Sequence, residues 1–120
     1  MSELKTIILA LQQEALRQQL QDFLQSLGYQ AIKVDNGVDA LAAVMNFRPH
    51  GIVLDADLPK IDGLSVAHLL RDAEDLRAIR IVLITFDPID PKTLEKLRPA
   101  LLVPVASFEY LRQALVSLEL

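Results

Sequence analysis

The sequence predicts an α/β fold built on one parallel sheet of five strands. Five short apolar segments alternate with longer segments in which apolar residues recur every three or four positions. Three of the apolar segments show no polar alternation, which is typical of strands that helices cover on both faces. Repeated β-α alternation also implies right-handed crossovers. We therefore predict a flavodoxin-like (βα)5 three-layer sandwich with the parallel strand order 2-1-3-4-5.

The predicted strands are aliphatic and short: 7–11, 31–34, 51–54, 81–84 and 101–103. Stripes of apolar residues at helical spacing predict helices between these strands. The stripe of the first helix is Leu16, Leu20, Phe23, Leu24 and Leu27. The second has Val38, Leu41, Ala42 and Met45, and the last has Leu111, Leu115 and Leu118. Gly28 is placed to end the first helix. Asp62 and the pair Asp90-Pro91 are placed to begin the third and fourth helices, and the fourth is predicted to be short.

The composition indicates one compact domain over residues 1–120, with 52% apolar residues and only 5% aromatic ones. The chain has no cysteine, which excludes disulfides and thiolate metal sites. Its net charge of −4 argues against direct nucleic-acid binding. We expect no signal peptide and no membrane segment, because no apolar run approaches the roughly 18 residues that span a bilayer. The expected location is the cytoplasm.

Asp55 is the leading candidate for a functional residue, because it directly follows a buried apolar strand. A carboxylate there is costly unless it is hydrogen-bonded, paired or metal-bound. In open parallel sheets, ligands bind outside the carboxyl ends of the strands, which is where Asp55 is predicted to lie. The alternative interpretation is that Asp55 only caps the turn that follows it. No glycine-rich phosphate loop follows any predicted strand, which argues against a dinucleotide site.

The segment 54–63 resembles the response-regulator receiver motif, in which Asp is followed by x-x-hydrophobic-Pro-x-x-Asp-Gly. The segments 27–29 and 36–41 resemble two further motifs of that family, in the correct order, so that the resemblance covers essentially the whole chain. It implies a domain of two-component signalling whose Asp55 corresponds to the phosphoacceptor. It also implies that Thr85 corresponds to a hydroxyl residue that contacts the phosphoryl group.

The resemblance further implies chemistry that this sequence supports poorly. In the family, an acidic pair after strand one, the aspartate and a backbone carbonyl two residues later bind a divalent metal, and a Lys contacts the phosphoryl group. The acidic pair falls at Leu11 and Gln12, or at Gln12 and Gln13, and neither pair is acidic. The Lys falls near Pro104 and Val105.

Two further positions depart from the family pattern. Phe86 replaces a small residue and is predicted to fill the entrance of the site, and Leu101 replaces the aromatic switch residue of strand five. We therefore predict a degenerate receiver, a pseudo-receiver that serves as a phosphorylation-independent protein-interaction module, without enzymatic activity. No cofactor is expected, and Mg²⁺ only if the atypical site is active, with Asp55 and Asp57 as weak ligand candidates.

Two alternatives remain open from the sequence. One is a phosphorylatable receiver with an atypical site, in which Asp57 or Glu14 partly compensates for the missing acids. The other is a small phosphatase of the haloacid-dehalogenase type that uses Asp55 and Asp57. Phosphatase activity that Asp55→Asn abolishes would support the second. Leu58-Pro59 replaces the usual Gly-Thr of those phosphatases.

The expected partners are proteins: a histidine kinase, an output domain or another signalling protein, with a homodimer as a further possibility. Leu101, Phe108 and Leu111 are the candidate interface, provided that they form an exposed apolar patch. Arg71, Arg77 and Arg80 alternate with acidic residues, which predicts a solvated helix end. His50 and His68 are the only histidines, and a metal site shared between them is not expected.

Overall fold

A computed structural model describes residues 5–104 and 107–117 of the chain. The strands are β1 Thr6–Ala10, β2 Gln30–Val34, β3 Gly51–Asp55, β4 Arg80–Ile84 and β5 Ala100–Val103. The helices are α1 Glu14–Ser26, α2 Gly37–Phe47, α3 Gly63–Asp72, α4 Pro91–Leu97 and α5 Phe108–Ser117, and a 3-10 helix spans Glu74–Leu76. All strand pairs are parallel, and the order is β2-β1-β3-β4-β5. The predicted fold class and strand order are confirmed.

The alternation of side chains along the strands divides the core into two aliphatic layers. Ile8, Ile52 and Ile81 face the layer beneath α2, α3 and α4. Ile7 and Val53 face the opposite layer beneath α1 and α5. Both faces of the three central strands are therefore buried, which explains why their sequences lack polar alternation.

Side-chain caps begin three of the helices. The carboxylate of Asp62 accepts hydrogen bonds from Ser65 N at 2.8 Å and from the hydroxyl of the same serine. Asp90 caps α4 in the same way, and Asn36 caps α2 by accepting from Asp39 N. Gly28 follows α1 with a φ of 89°. The predicted start of α3, start of α4 and end of α1 are confirmed.

Only part of the predicted apolar stripe of α2 meets the core, since Leu41 packs against it and the other stripe residues are exposed. Val38 and Met45 are 46% and 56% exposed, whereas Ala40, Ala43 and Val44 are buried. The helix is apolar almost all round, so that periodicity alone does not identify its inner face. Small alanines face the sheet because α2 packs closely over β1, and the larger side chains point outward.

Arg71 is buried, so that the predicted solvated helix end is wrong at this position. Its side chain lies on α3 and the residue is only 8% exposed. The guanidinium donates hydrogen bonds to the backbone oxygens of Leu97, Ile79, Pro99 and Arg77 at 2.7, 2.6, 2.9 and 3.1 Å. Arg71 thus joins α3 to the end of α4 and to the entries of β4 and β5.

The candidate interface of Leu101, Phe108 and Leu111 is not an exposed apolar patch. Leu111 is fully buried in the layer beneath α1 and α5. Leu101 and Phe108 are half-buried against the same layer, and the Phe108 ring packs edge-on against Phe23 with centroids 5.9 Å apart. This prediction is therefore corrected: the three residues belong to the core and its margin. Leu118, predicted on the same helix, lies outside the described residues.

Within the two described ranges, no helix combines the length and the apolar character that crossing a bilayer would require.

Candidate functional site

The carboxyl ends of β1, β3 and β4 bring the predicted site residues to one edge of the sheet. Asp55 is the last residue of β3 and lies opposite Ile84 of β4. Gln12 follows β1 on one side of it, and Thr85 follows β4 on the other. Because β3 is flanked by β1 and β4, residues separated by many positions in the chain become neighbours of Asp55.

Asp55 carries a carboxylate that burial makes costly to ionise. Burial is the largest influence and raises its pKa, and the nearby negative charge of Asp57 raises it further. The backbone N–H groups of Asp57 and Gln12 oppose this shift. The bond from Asp57 N is long, at 3.4 Å. Asp55 therefore accepts one long backbone hydrogen bond, and no described Lys or Arg forms a salt bridge with it.

Replacing Asp55 with asparagine is expected to stabilise the fold by on the order of 0.5 kcal/mol at neutral pH, since the side chain is only partly buried. The folded state binds the Asp55 proton more tightly than the unfolded chain does. Ionised Asp55 therefore destabilises the fold fully above the raised pKa of the folded state. This destabilisation disappears as the pH falls through that pKa towards the pKa of the unfolded chain. The advantage of Asp55→Asn should shrink over the same window.

Thermal unfolding of both proteins across this pH range measures the effect. A lower melting temperature for Asp55→Asn at neutral pH would contradict it, and would show that the charged carboxylate stabilises the loops around it.

Gln12 occupies the position of a family acid and makes a contact of its own. Its side-chain Nε2 donates a hydrogen bond to the backbone oxygen of Asp57 at 2.8 Å. A carbonyl oxygen accepts but cannot donate, so that this contact assigns the NH₂ end of the Gln12 amide to the side that faces Asp57. The loop after β1 is thereby joined directly to the loop after β3.

The other position that is acidic in the family is Leu11 in this chain, and its side chain offers no metal ligand. The side chain of Leu11 is buried in the layer beneath α1 and α5. Its backbone oxygen accepts a hydrogen bond from Arg17. Glu14 is the first residue of α1 and is exposed.

The loop between β3 and α3 is held by two close backbone approaches. Gly63 N donates to the oxygen of Ala56 at 2.9 Å, and Gly37 N donates to the oxygen of Pro59 at 3.1 Å. A Cβ on Gly63 would lie 2.2 Å from the oxygen of Asp55. Glycine is therefore required at position 63 for the loop to pass this close to the helix.

In the loop after β4, the position of Phe86 differs from the prediction. Phe86 is 74% exposed, so that it does not fill the entrance as predicted. The hydroxyl of Thr85 accepts a hydrogen bond from Asp87 N at 3.2 Å, which ties it to its own loop. A cleft of about 230 Å³ lies between this loop and the loop after β3.

The β5 residue that accepts a hydrogen bond from Thr85 is Val103, which the sequence did not identify. Thr85 N donates to the oxygen of Val103 at 3.1 Å, and Val103 is the buried last residue of β5. Pro104 follows it and is exposed, and Val105 lies outside the described residues. The Lys of the family motif is followed by a proline, and matching that proline to Pro104 moves the Lys position to Val103. The proline at position 104 was the feature of the sequence that could have identified Val103.

The residues around Asp55 supply few of the oxygen ligands that a divalent metal binds in this family. Magnesium takes oxygen ligands and usually at least one or two carboxylates. The carbonyl of Asp57 already accepts from an N–H donor, and Leu11 offers no oxygen from its side chain. Nowhere in residues 5–104 and 107–117 do three or more His, Cys, Asp or Glu side chains cluster as metal ligands would. The described donor set therefore lacks the acidic pair with which the family binds its metal, and Asp55 and Asp57 are the carboxylates that lie near the site.

Comparisons with known proteins agree with this fold. The family model of the response regulator receiver domain matches residues 7–99. The polar-differentiation response regulator DivK of Brucella anthropi is 31% identical over 81 residues, which cover 68% of this chain and 66% of that protein. The chain belongs to the response regulator receiver domain family. The chain is therefore a receiver domain of two-component signalling, and its Asp55-Ala56-Asp57 segment lies within the matched residues.

Two solved structures support the same architecture. The response regulator TrrA of Thermotoga maritima, solved in complex with Mg(2+)-BeF, is 25% identical with a TM-score of 0.75, and the match covers 96% of this chain and 99% of that one. The chemotaxis response regulator CheY4 of Vibrio cholerae is 20% identical with a TM-score of 0.78, over 96% and 98% of the two chains. At that identity the second match shows the fold alone.

Proposed function

We propose that this receiver domain acts without phosphorylation of Asp55, as a protein-interaction module in two-component signalling. One observation carries the proposal: the amide of Gln12 donates to the backbone oxygen of Asp57 at 2.8 Å. In the family, the corresponding oxygen binds the metal. A cation and an N–H donor both bring positive charge to the oxygen, so that they compete for it.

The rest of the site supports the same proposal. A phosphoryl group would add up to about two negative charges to a carboxylate that is already costly to ionise. Family members balance that charge with a metal and a Lys, and the matching positions here are Gln12 and Val103. The hydrogen bond of Gln12 already links the two loops that a metal would bridge. The module would therefore present one fixed surface to a kinase, an output domain or another signalling protein.

Intact-protein mass spectrometry after incubation with acetyl phosphate and Mg²⁺ tests this function. We expect no phosphoryl adduct on the wild-type chain and none on Asp55→Asn, because the charge-neutralising groups are missing. An active receiver domain treated in parallel must show the adduct, which establishes that the conditions suffice. An adduct on the wild type that Asp55→Asn lacks would overturn the proposal and support a phosphorylatable receiver with an atypical site.

The variant Gln12→Asp completes the experiment as a gain-of-function control. It removes the N–H donor and places a carboxylate beside Asp55 and the oxygen of Asp57. Mg²⁺ at roughly ten times its Kd should then stabilise this variant by about 1.4 kcal/mol, and should leave the wild type unchanged. Equal stabilisation of both proteins by Mg²⁺ would show that Gln12 does not decide metal binding.

A further inference from the structure

The cleft beside Asp55 combines an apolar floor with an acidic rim. Its apolar lining consists of Ala56, Leu64, Leu83, Pro88 and Ile89. The carboxylates of Asp57, Asp62 and Asp87 line it as well, together with Thr85. The cleft measures about 230 Å³, which is enough for one or two side chains of another molecule.

No basic residue lines the cleft to balance this charge. Asp62 caps α3 with both carboxylate oxygens, which leaves Asp57 and Asp87 as the carboxylates available at the rim. Both are exposed, and in the described parts of the chain neither carboxylate forms a salt bridge or accepts a hydrogen bond from another side chain. The rim therefore attracts a cationic group from outside the chain.

An exposed aromatic residue on the same loop points to a protein as the occupant. Phe86 lies between Thr85 and Asp87 and is 74% exposed. Phe86 does not itself line the cleft, but both of its chain neighbours do, and exposed aromatic side chains are typical anchors of protein interfaces. The apolar floor suits the aliphatic stem of a Lys or Arg, whose charged end would reach the rim. The acidic rim disfavours the negatively charged backbone of a nucleic acid.

We infer that the cleft between the loop after β3 and the loop after β4 binds a basic segment of a protein partner, with a Lys or Arg beside an apolar residue. The Lys or Arg enters between Asp57 and Asp87, and its apolar neighbour packs against Phe86. This inference rests on the proposed function and specifies the partner chemistry of the same site.

A random peptide library displayed on phage, selected against the complete folded chain, tests this inference. We expect the selected peptides to be enriched in Lys or Arg next to apolar residues. A synthetic copy of the most enriched peptide should shift the amide resonances of Asp57, Thr85, Asp87 and Ile89. The double variant Asp57→Asn/Asp87→Asn should raise its Kd about tenfold, through the loss of two partly solvated ion pairs.

The matched control is Asp72→Asn/Glu74→Gln, which removes the same charge from exposed positions near the opposite edge of the sheet. This variant should leave the Kd unchanged. Selected peptides without basic residues, or an equal loss in both double variants, would overturn the inference. A wild-type dimer in light scattering that Asp57→Asn/Asp87→Asn abolishes would also overturn it, and would assign the cleft to a second copy of the chain.

The test is separate from that of the proposed function. The peptide titration is repeated on Asp55→Asn, which cannot be phosphorylated at position 55. A phosphoryl adduct on the wild type would overturn the phosphate-independent function while leaving peptide binding to be measured in Asp55→Asn. Absence of peptide binding in an unphosphorylated wild type would overturn only the inference about the cleft.

Discussion

Replacing Arg71 with methionine is expected to destabilise the fold by about 3 to 4 kcal/mol. The guanidinium donates to four backbone oxygens, and methionine fills a similar space without any donor. Pro99 O would retain its bond from Ile81 N, but the oxygens of Leu97 and Ile79 would lose a buried partner. Chemical denaturation of the wild type and the variant measures the loss as a difference in unfolding free energy.

The charge of Arg71 is part of the same prediction. Burial lowers the pKa of Arg71, yet a guanidinium remains protonated at neutral pH. Arg71→Lys keeps the charge but cannot reach four oxygens from one ammonium group, and should lose about half as much stability as Arg71→Met. Arg98→Met is the matched control, because Arg98 is exposed and its one salt bridge to a described residue is with Glu95. Equal effects at positions 71 and 98 would refute a structural role for the buried guanidinium.

Replacing Gly63 with alanine is expected to cost about 3 kcal/mol or more. The added methyl would lie 2.2 Å from the oxygen and 2.8 Å from the carbonyl carbon of Asp55. Both are backbone atoms of the strand end, so that relief requires either α3 or the end of β3 to move. Denaturation measures the loss, and amide chemical shifts around Asp55 should report the displacement of the loop.

Gly28→Ala separates this clash from ordinary backbone strain. Gly28 has a φ of 89°, but a Cβ there would meet no atom within 4 Å. Its replacement should therefore cost only about 1 to 2 kcal/mol, the price of a left-handed backbone. If Gly63→Ala is no worse than Gly28→Ala, the close approach of α3 to Asp55 does not limit stability.

Local sequence signals predicted the parts of the fold that depend on local interactions. Strands that are buried on both faces need continuous apolar runs, and each predicted run is a strand in the structure. The caps at Asp62 and Asp90 depend on a side chain and a backbone N–H two or three residues away, so that the sequence shows them directly.

The wrong predictions concern side chains whose burial the pattern of apolar and charged residues does not decide. The helix α2 has apolar residues on nearly every side, and only the closeness of β1 selects the face with Ala40 and Ala43. In the sequence, Arg71 looks like its exposed basic neighbours. Its burial could not be predicted, because the carbonyls that surround it come from segments up to 28 residues away. The apolar stripe of α5 correctly placed Leu111 in the core, and the error was to consider the same residue for an exposed interface.

The sequence by itself predicted the fold class, the strand order and the position of Asp55 at the end of β3, and it carries no acidic pair or Lys at the positions first matched to those of the family. These follow from residue types and their spacing. Only the tertiary structure decided that Gln12 donates to the oxygen of Asp57, 45 positions along the chain, and that Val103 is the strand residue nearest Thr85. The physical reason is that a hydrogen bond between two loops depends on the distance between their strands, which the sheet sets and local spacing does not encode.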